Sequence, residues 1–289
     1  MIQGISALTL GTAALVQPYA GLPPPTRQDA LRLVLAAVHD GVTMIDTAPS
    51  YGSEELVGIA ASGRPKVMMA TKISPHLRTS RHVWHQLGAS RAALGRDCLD
   101  VVQLHNATAT DFSHTAMVLD VLREAQAKRQ VRWVGASVYA VDDARAALRA
   151  GVDVVQIAYN LLDQRIIDAD MVRPSLVEQA RRAGVILLGR SPWLRGALAG
   201  GPCPPAARQA AQRARRVLLA RDRDLPRLAL RFALQGPASV IVGVRTVEEW
   251  TQAARWIAEG HLPIWRQILT AFCASDDPAV IDPRRWPVN

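Results

Sequence analysis

Cysteine is scarce in this 289-residue sequence. Cys98, Cys203 and Cys273 are the whole set, widely spaced and with no Cys-x-x-Cys. An odd, scattered trio argues against a disulfide framework or a structural zinc site. Aromatic residues make up only 5 %, and no basic run is interleaved with them. That removes the pattern by which single-stranded nucleic acid is stacked and tracked. No apolar run approaches the roughly 18 residues of a membrane-spanning helix. The first residues, Met1 to Ser6, lack the basic start and continuous apolar stretch of a signal peptide. A cytoplasmic protein with no nucleic-acid or membrane partner is therefore expected.

What is present fits a folded chain. Apolar residues reach 49 % and charged residues 20 %, the balance of a globular protein rather than a disordered one. The net charge is +9, from 34 basic and 25 acidic residues. Most of the excess is arginine in helical segments such as Arg208 to Arg223, which reads as a solvated surface. A few of these charges are available to an anionic ligand.

Eight short apolar, β-branched runs read as strands: Leu8–Leu10, Thr43–Ile45, Val67–Ala70, Asp100–Leu104, Arg132–Gly135, Val154–Ile157, Val185–Leu188 and Ser239–Val242. Most are nearly continuous in hydrophobicity, as in parallel strands covered on both faces. Helical periodicity lies between them, over Arg27–Asp40, Thr115–Arg129, Asp142–Ala150, Pro174–Ala183, Arg227–Leu234 and Val247–Ala258. Gly41, Gly151 and Gly184 follow three of these as stop signals. A doubly wound dinucleotide fold would carry Gly-x-Gly-x-x-Gly after its first strand. Gly11-Thr12-Ala13-Ala14-Leu15 does not match it. Eight strand–helix alternations without a composition break predict a single (β/α)8 TIM-barrel domain over residues 1–289. An apolar helical pattern from Pro263 to Ala274 and the proline-punctuated tail to Asn289 are expected to lie over the barrel.

Active sites of such barrels gather at the C-terminal ends of the strands. There the sequence offers Asp46 and Tyr51 after the second strand, Lys72 after the third and His105 after the fourth. A carbonyl that accepts hydride needs a proton at once. A phenol can give it, but its pKa near 10 is high. A nearby ammonium lowers that pKa, a carboxylate anchors the ammonium, and an imidazole orients the carbonyl oxygen. Tyr51, Lys72, Asp46 and His105 fill these roles in that order. Singly, each has an ordinary structural role open to it, as a cap, a surface lysine or a satisfied histidine. Jointly, a buried acid and lysine need one another.

The segment Gly41-Val42-Thr43-Met44-Ile45-Asp46-Thr47-Ala48-Pro49-Ser50-Tyr51-Gly52-Ser53-Glu54-Glu55 closely resembles a signature of the aldo-keto reductase superfamily. Ala70-Thr71-Lys72, Val102-Gln103-Leu104-His105-Asn106 and Ile157-Ala158-Tyr159-Asn160-Leu161-Leu162 resemble further blocks, in the same order, and the nearest pattern is that of bacterial members. The resemblance implies that the four residues form a catalytic tetrad with Tyr51 as general acid/base, exchanging hydride between nicotinamide and a carbonyl or alcohol.

It also implies a cofactor site. Ser137 and Gln156 would hold the nicotinamide carboxamide, Arg190 would stack on the ring, and Gly11, Thr12 and Asp46 would also bind the cofactor. Ser191, Pro192, Trp193 and Gly196 match the pyrophosphate loop, and Gly243, Arg245, Thr246 and Glu249 the adenosine-phosphate segment. Val138 stands where many members have asparagine, and Arg190 where tyrosine is common. Arg245 points to NADP. Glu249 and Ala253 depart from the NADP pattern, which keeps NAD open. The substrate would be a small carbonyl compound or sugar, in a pocket drawn from Tyr19, Trp84, Asn106, Trp193 and Trp286. No metal is expected. Two rival readings stay open: a non-catalytic, nicotinamide-binding redox sensor on the same scaffold, and a metal-dependent barrel.

Overall fold

Eight parallel strands close into a barrel in chain order in the computed structural model, which describes residues 4–112, 114–168, 174–218, 224–258 and 273–286. The strands are β1 (Leu8–Gly11), β2 (Met44–Asp46), β3 (Met68–Ile73), β4 (Leu99–His105), β5 (Val131–Ser137), β6 (Val154–Ala158), β7 (Ile186–Arg190) and β8 (Ser239–Gly243). All eight fall where the apolar runs lie. The barrel closes through β8 against β1, with Leu8 opposite Val240 and Gly11 opposite Gly243. Closure leaves no edge strand, which explains why six residues of β3 in succession are buried.

Helices cover the outside. The helix α1 (Arg27–His39) starts at Thr26, whose hydroxyl accepts from the Asp29 amide. It is followed by α2 (Glu54–Ala60), α3 (Ser80–Leu94), α4 (Ala109–Phe112), α5 (Ala116–Ala127) and α6 (Val141–Arg149). Then come α7 (Leu176–Arg182), α8 (Pro205–Leu218), α9 (Leu225–Ala233) and α10 (Val247–Ala258). The sequence pattern did not reveal α2 and α3. The first has seven residues, too few for a period to emerge. The second buries Val83, Leu87, Ser90 and Leu94, and a serine in that stripe dilutes it.

The helix expected over Pro263 to Ala274 lies, save for its last two residues, outside the described ones. Beyond it a short helix, Pro278–Ile281, packs against α8. Val280, Ile281 and Trp286 bury into the main core. No helix among the described residues is long and apolar enough to cross a membrane.

The core has two parts. One lies between barrel and helices, with Leu33, Val57, Leu122 and Phe232 among its members. The other fills the barrel itself: Met44, Met68, Ala70, Val101, Val154, Ile186, Leu188 and Ile241.

Candidate active site

Strand periodicity carries polar residues to the barrel mouth. Successive side chains alternate between faces, so residues two apart share one. Met44, Ala70, Val101, Val154 and Leu188 fill the barrel. Two positions on, the same phase presents Asp46, Lys72, Gln103, Gln156 and Arg190. His105 lies two beyond Gln103. Register then sets Lys72 opposite Gln103, His105 opposite Ser137, and Ser137 opposite Gln156. An apolar layer thus supports a polar one.

Lys72 is the centre, 1 % exposed. Its Nζ donates to Asp46 Oδ1 at 2.6 Å and to the Thr47 carbonyl at 2.9 Å. It also stands 4.8 Å from the centroid of the Tyr51 ring. Asp46, 4 % exposed, accepts on Oδ2 from Gln156 Nε2 at 2.8 Å and Gln103 Nε2 at 3.4 Å. Three donors therefore converge on one carboxylate. Tyr51 ends a 3-10 turn, Pro49–Tyr51, closed by Gly52 at φ 68°, where a side chain would be strained. The ring of Tyr51 meets that of His105 edge-on, with centroids 5.8 Å apart.

Burial sets the proton affinities. It opposes the charge on Lys72, but the Asp46 carboxylate and Tyr51 outweigh it and hold the ammonium above the ordinary lysine range. Burial is also the largest influence on Tyr51, and the Lys72 ammonium offsets it only in part. The Tyr51 pKa is consequently raised. The ammonium lowers it as expected, but the net shift is upward, because desolvation of a buried phenolate outweighs one neighbouring charge. Burial, then Lys72, push His105 down to about 4 against the pull of Asp46. Its imidazole is neutral at pH 7.

A layer of hydroxyls supports this group. Thr12, Thr47 and Ser53 are fully buried. The Ser53 hydroxyl shares hydrogen bonds with Thr12 Oγ1 at 2.8 Å and Thr47 Oγ1 at 2.9 Å. Thr12 also donates to the Asp46 carbonyl at 3.0 Å. Thr71 donates to the buried Glu54 carboxylate at 2.6 Å. Gln103, Thr47, Ser53, Glu54 and Thr71 were not singled out from the sequence. The usable signal for Gln103 was its place two residues before His105 on the inward phase of β4.

The expected cofactor shell is gathered unevenly. Ser137 and Gln156 are brought together, but to each other: Ser137 Oγ donates to Gln156 Oε1 at 3.1 Å, and Gln156 is also tied to Asp46. Arg190 reaches across the mouth to the Val138 carbonyl at 3.0 Å, and its guanidinium lies 4.1 Å from the Tyr139 ring centroid. In the loop after β7, Ser191, Leu194, Arg195 and Gly196 all have positive φ, a strained path of the kind stored at ligand sites. Pro192 there is buried. Gly243 ends β8 exposed.

After β8, Thr246 and Glu249 cap α10. Thr246 Oγ1 accepts from the Glu249 amide at 3.2 Å, and Glu249 Oε2 accepts from the Arg245 amide at 2.7 Å. The Arg245 guanidinium donates to the Pro23 carbonyl. The Nε atoms of Arg195 and Arg245 are buried without a hydrogen-bond partner. Each loop thus carries a guanidinium, a charge that fits an anionic group such as a dinucleotide phosphate.

The aromatic residues expected to wall a substrate pocket are each held by a contact of their own. Trp84 stands on α3 in the outer helical layer, with the Lys128 ammonium 4.9 Å from its ring. Trp193 donates to the Pro226 carbonyl at 2.9 Å. Trp286, 8 % exposed, donates to the Ala279 carbonyl at 3.1 Å and anchors the C-terminal segment. Indoles bury as anchors when a carbonyl can take the N–H. Tyr19 lies in a tight hairpin beside Arg195, 5.3 Å from its guanidinium. Asn106, exposed and at φ 55°, follows His105. Among the described residues no group of three His, Cys, Asp or Glu is placed to hold a metal ion.

A family model described as "Aldo/keto reductase family" matches residues 7–263. The NADH-specific methylglyoxal reductase of Escherichia coli (strain K12) is 27 % identical over 221 residues, covering 68 % of this chain and 66 % of that protein. The matched stretches of two further relatives span 52 % and 44 % of their lengths, so this chain spans less than two thirds of each. Among solved structures, the holo form of an aldo-keto reductase from Bacillus halodurans superposes with a TM-score of 0.80 at 21 % identity, covering 97 % of this chain and 95 % of that one. One from Klebsiella pneumoniae in complex with NADP and acetate gives 0.72 at 22 %, covering 94 % and 93 %. At such identities the likeness is one of fold.

Proposed function

This chain belongs to the aldo/keto reductase family, and from that premise we propose that it is a nicotinamide-dependent carbonyl reductase with Tyr51 as its proton donor. The observation that carries the reading is the buried Lys72 ammonium, held between the Asp46 carboxylate and the Tyr51 ring at the barrel mouth. A charge pair so buried stabilises the fold little compared with apolar packing. Its position beside a phenol is what proton transfer requires.

Reduced nicotinamide, when bound, supplies hydride to the carbonyl carbon. Everything else is done by side chains of this chain. Tyr51 keeps its proton at neutral pH, because burial raises its pKa, and delivers it to the carbonyl oxygen as negative charge develops there. Lys72 stabilises the phenolate that remains, and Asp46 keeps Lys72 charged. Neutral His105 donates a hydrogen bond that orients the carbonyl oxygen.

The guanidiniums of Arg195 and Arg245 would meet the dinucleotide's phosphates, and Ser137 and Gln156 its carboxamide. We assign NADP as cofactor on Arg245, which offers a guanidinium to a 2′-phosphate. A second reading, NAD, draws support from Glu249, whose carboxylate sits on the Arg245 amide and opposes a phosphate there. Ala253, fully buried, offers no polar group either. The NADH-specific E. coli relative points the same way. The test is consumption of NADPH and NADH by a panel of aldehydes and ketones, beside a titration of tryptophan fluorescence with each. Turnover of at least one carbonyl is expected. Tight cofactor binding with no turnover of any would instead favour a non-catalytic sensor.

A further inference from the structure

A fully buried glutamine interrupts an apolar strand. In β4, Gln103 stands among Val101, Val102 and Leu104. Its Nε2 donates to Asp46 Oδ2 at 3.4 Å. Its Oε1 is buried with no hydrogen-bond partner among the described residues. The carboxylate decides which way the amide faces, since it accepts and cannot donate. Burying an unpaired acceptor costs stability, so packing alone favours an apolar residue here. The fold nevertheless makes room for this side chain. Gly135 lies opposite Gln103 on β5, and a Cβ there would come within 3.0 Å of Gln103 Cγ and 2.8 Å of the Val154 carbonyl oxygen. Gln156, the other amide on Oδ2, also accepts from Ser137 and is expected at the nicotinamide carboxamide. The hydrogen bond of Gln103 reaches Asp46 alone.

We propose that Gln103 is a positioning residue, which holds Asp46 so that the Lys72 ammonium keeps its place beside Tyr51. The inference rests on the proton-donor reading of Tyr51 and deepens it. The two oxygens of Asp46 are divided: Oδ1 takes Lys72 at 2.6 Å, and Oδ2 takes the two amides. A carboxylate pinned on Oδ2 offers the ammonium one oxygen rather than two. Freed on that side, it is able to turn both oxygens to Nζ and draw it from the Tyr51 ring, whose centroid is 4.8 Å away. An amide donor also spreads the charge of the carboxylate. Without it the field of Asp46 at Tyr51 grows, and that field opposes phenolate formation. Both effects act in one direction: without Gln103, Tyr51 holds its proton more tightly. The other charges that reach Tyr51 are Lys72 and Arg190, and the His105 ring beside it is neutral in the alkaline range.

The test reads Tyr51 in the chain without cofactor. With 3-fluorotyrosine at its four tyrosines, fluorine NMR follows each phenol through its titration. The Tyr51 resonance is the one that Tyr51→Phe removes. Gln103→Met keeps nearly the same volume and loses the donor, and it should raise the Tyr51 midpoint by about half a pH unit. The alkaline limb of kcat/KM for carbonyl reduction should move up with it. The urea midpoint should stay within about 0.3 M of wild type. Gln103→Leu gives the same test should the methionine variant fold poorly. In the Asp46→Asn/Lys72→Met background, Gln103→Met should leave Tyr51 where it stands, because the route through the carboxylate is gone. A Tyr51 midpoint that is unmoved or lowered in the wild-type background overturns the proposal, whatever happens to the urea midpoint. A rise of equal size in the background without Asp46 also overturns it, since the effect would then be one of burial. The parent reading fails separately, if Tyr51→Phe keeps most of its kcat.

Discussion

Replacing Asp46 by asparagine changes almost no volume, yet it should be among the costliest single substitutions in the chain. Three donors converge on the carboxylate: Lys72 Nζ on Oδ1, and Gln156 and Gln103 on Oδ2. An amide has one acceptor oxygen. Whichever way the substituted amide is turned, its NH2 faces a donor, and the Lys72 ammonium, 1 % exposed, loses its counter-charge. Breaking one partner of such a buried pair costs about 3–5 kcal/mol. With a urea m-value of about 3 kcal/mol/M, the midpoint should fall by about 1 M or more. The Lys72 pKa should fall as well, because burial, its largest influence, would then act unopposed by Asp46. Adding Lys72→Met removes the stranded charge, so the double variant should regain at least about 2 kcal/mol while staying inactive. Urea unfolding of the wild type, Asp46→Asn and Asp46→Asn/Lys72→Met gives the numbers directly. A single variant within about 0.5 kcal/mol of wild type, or a double variant no more stable than the single, would refute the reasoning.

Other expectations concern pH and the cofactor. His105 has a folded pKa of about 4 against 6.5 in the unfolded chain. Between those values the unfolded chain binds more protons, so acidification from pH 6.5 to 4 should remove about 3 kcal/mol of stability. Urea unfolding across that window should show the slope, and His105→Gln should flatten it. For reduction, a protonated Tyr51 and a neutral His105 imply a plateau of kcat/KM from roughly pH 5 to 10. A fall centred near neutrality would contradict both assignments. Arg245→Gln should weaken NADPH about tenfold and leave NADH nearly unchanged, and Glu249→Gln should favour NADPH. Fluorescence titration measures both, and equal shifts for the two cofactors would remove Arg245 from the 2′-phosphate.

The barrel was legible because parallel strands covered on both faces leave continuous apolar runs, and all eight were visible in the sequence. Asp46, Tyr51, Lys72 and His105 were legible as candidates because each sits at or just past a strand end. The partners that fix them were not. Gln156 reaches Asp46 across 110 residues of chain, and no local pattern marks such a pairing. The direction of the Tyr51 shift depends on depth of burial, which composition does not disclose. The contacts that hold Trp84, Trp193 and Trp286 were hidden for a related reason, since their partners Lys128, Pro226 and Ala279 are not marked by any local pattern. Arg190, Tyr139 and Arg284 come from three separate parts of the chain, and only the fold brings them together.

Tyr51→Phe tests the central claim most directly. The substitution removes one oxygen and keeps the ring that faces Lys72 and His105. The measurement is kcat for reduction of whichever carbonyl the wild type turns over, beside the cofactor Kd from tryptophan fluorescence. The expected result is a loss of about a thousandfold in kcat, the scale of a missing general acid, with Kd within about twofold of wild type. A variant that keeps most of its kcat would contradict the proton-donor role of Tyr51.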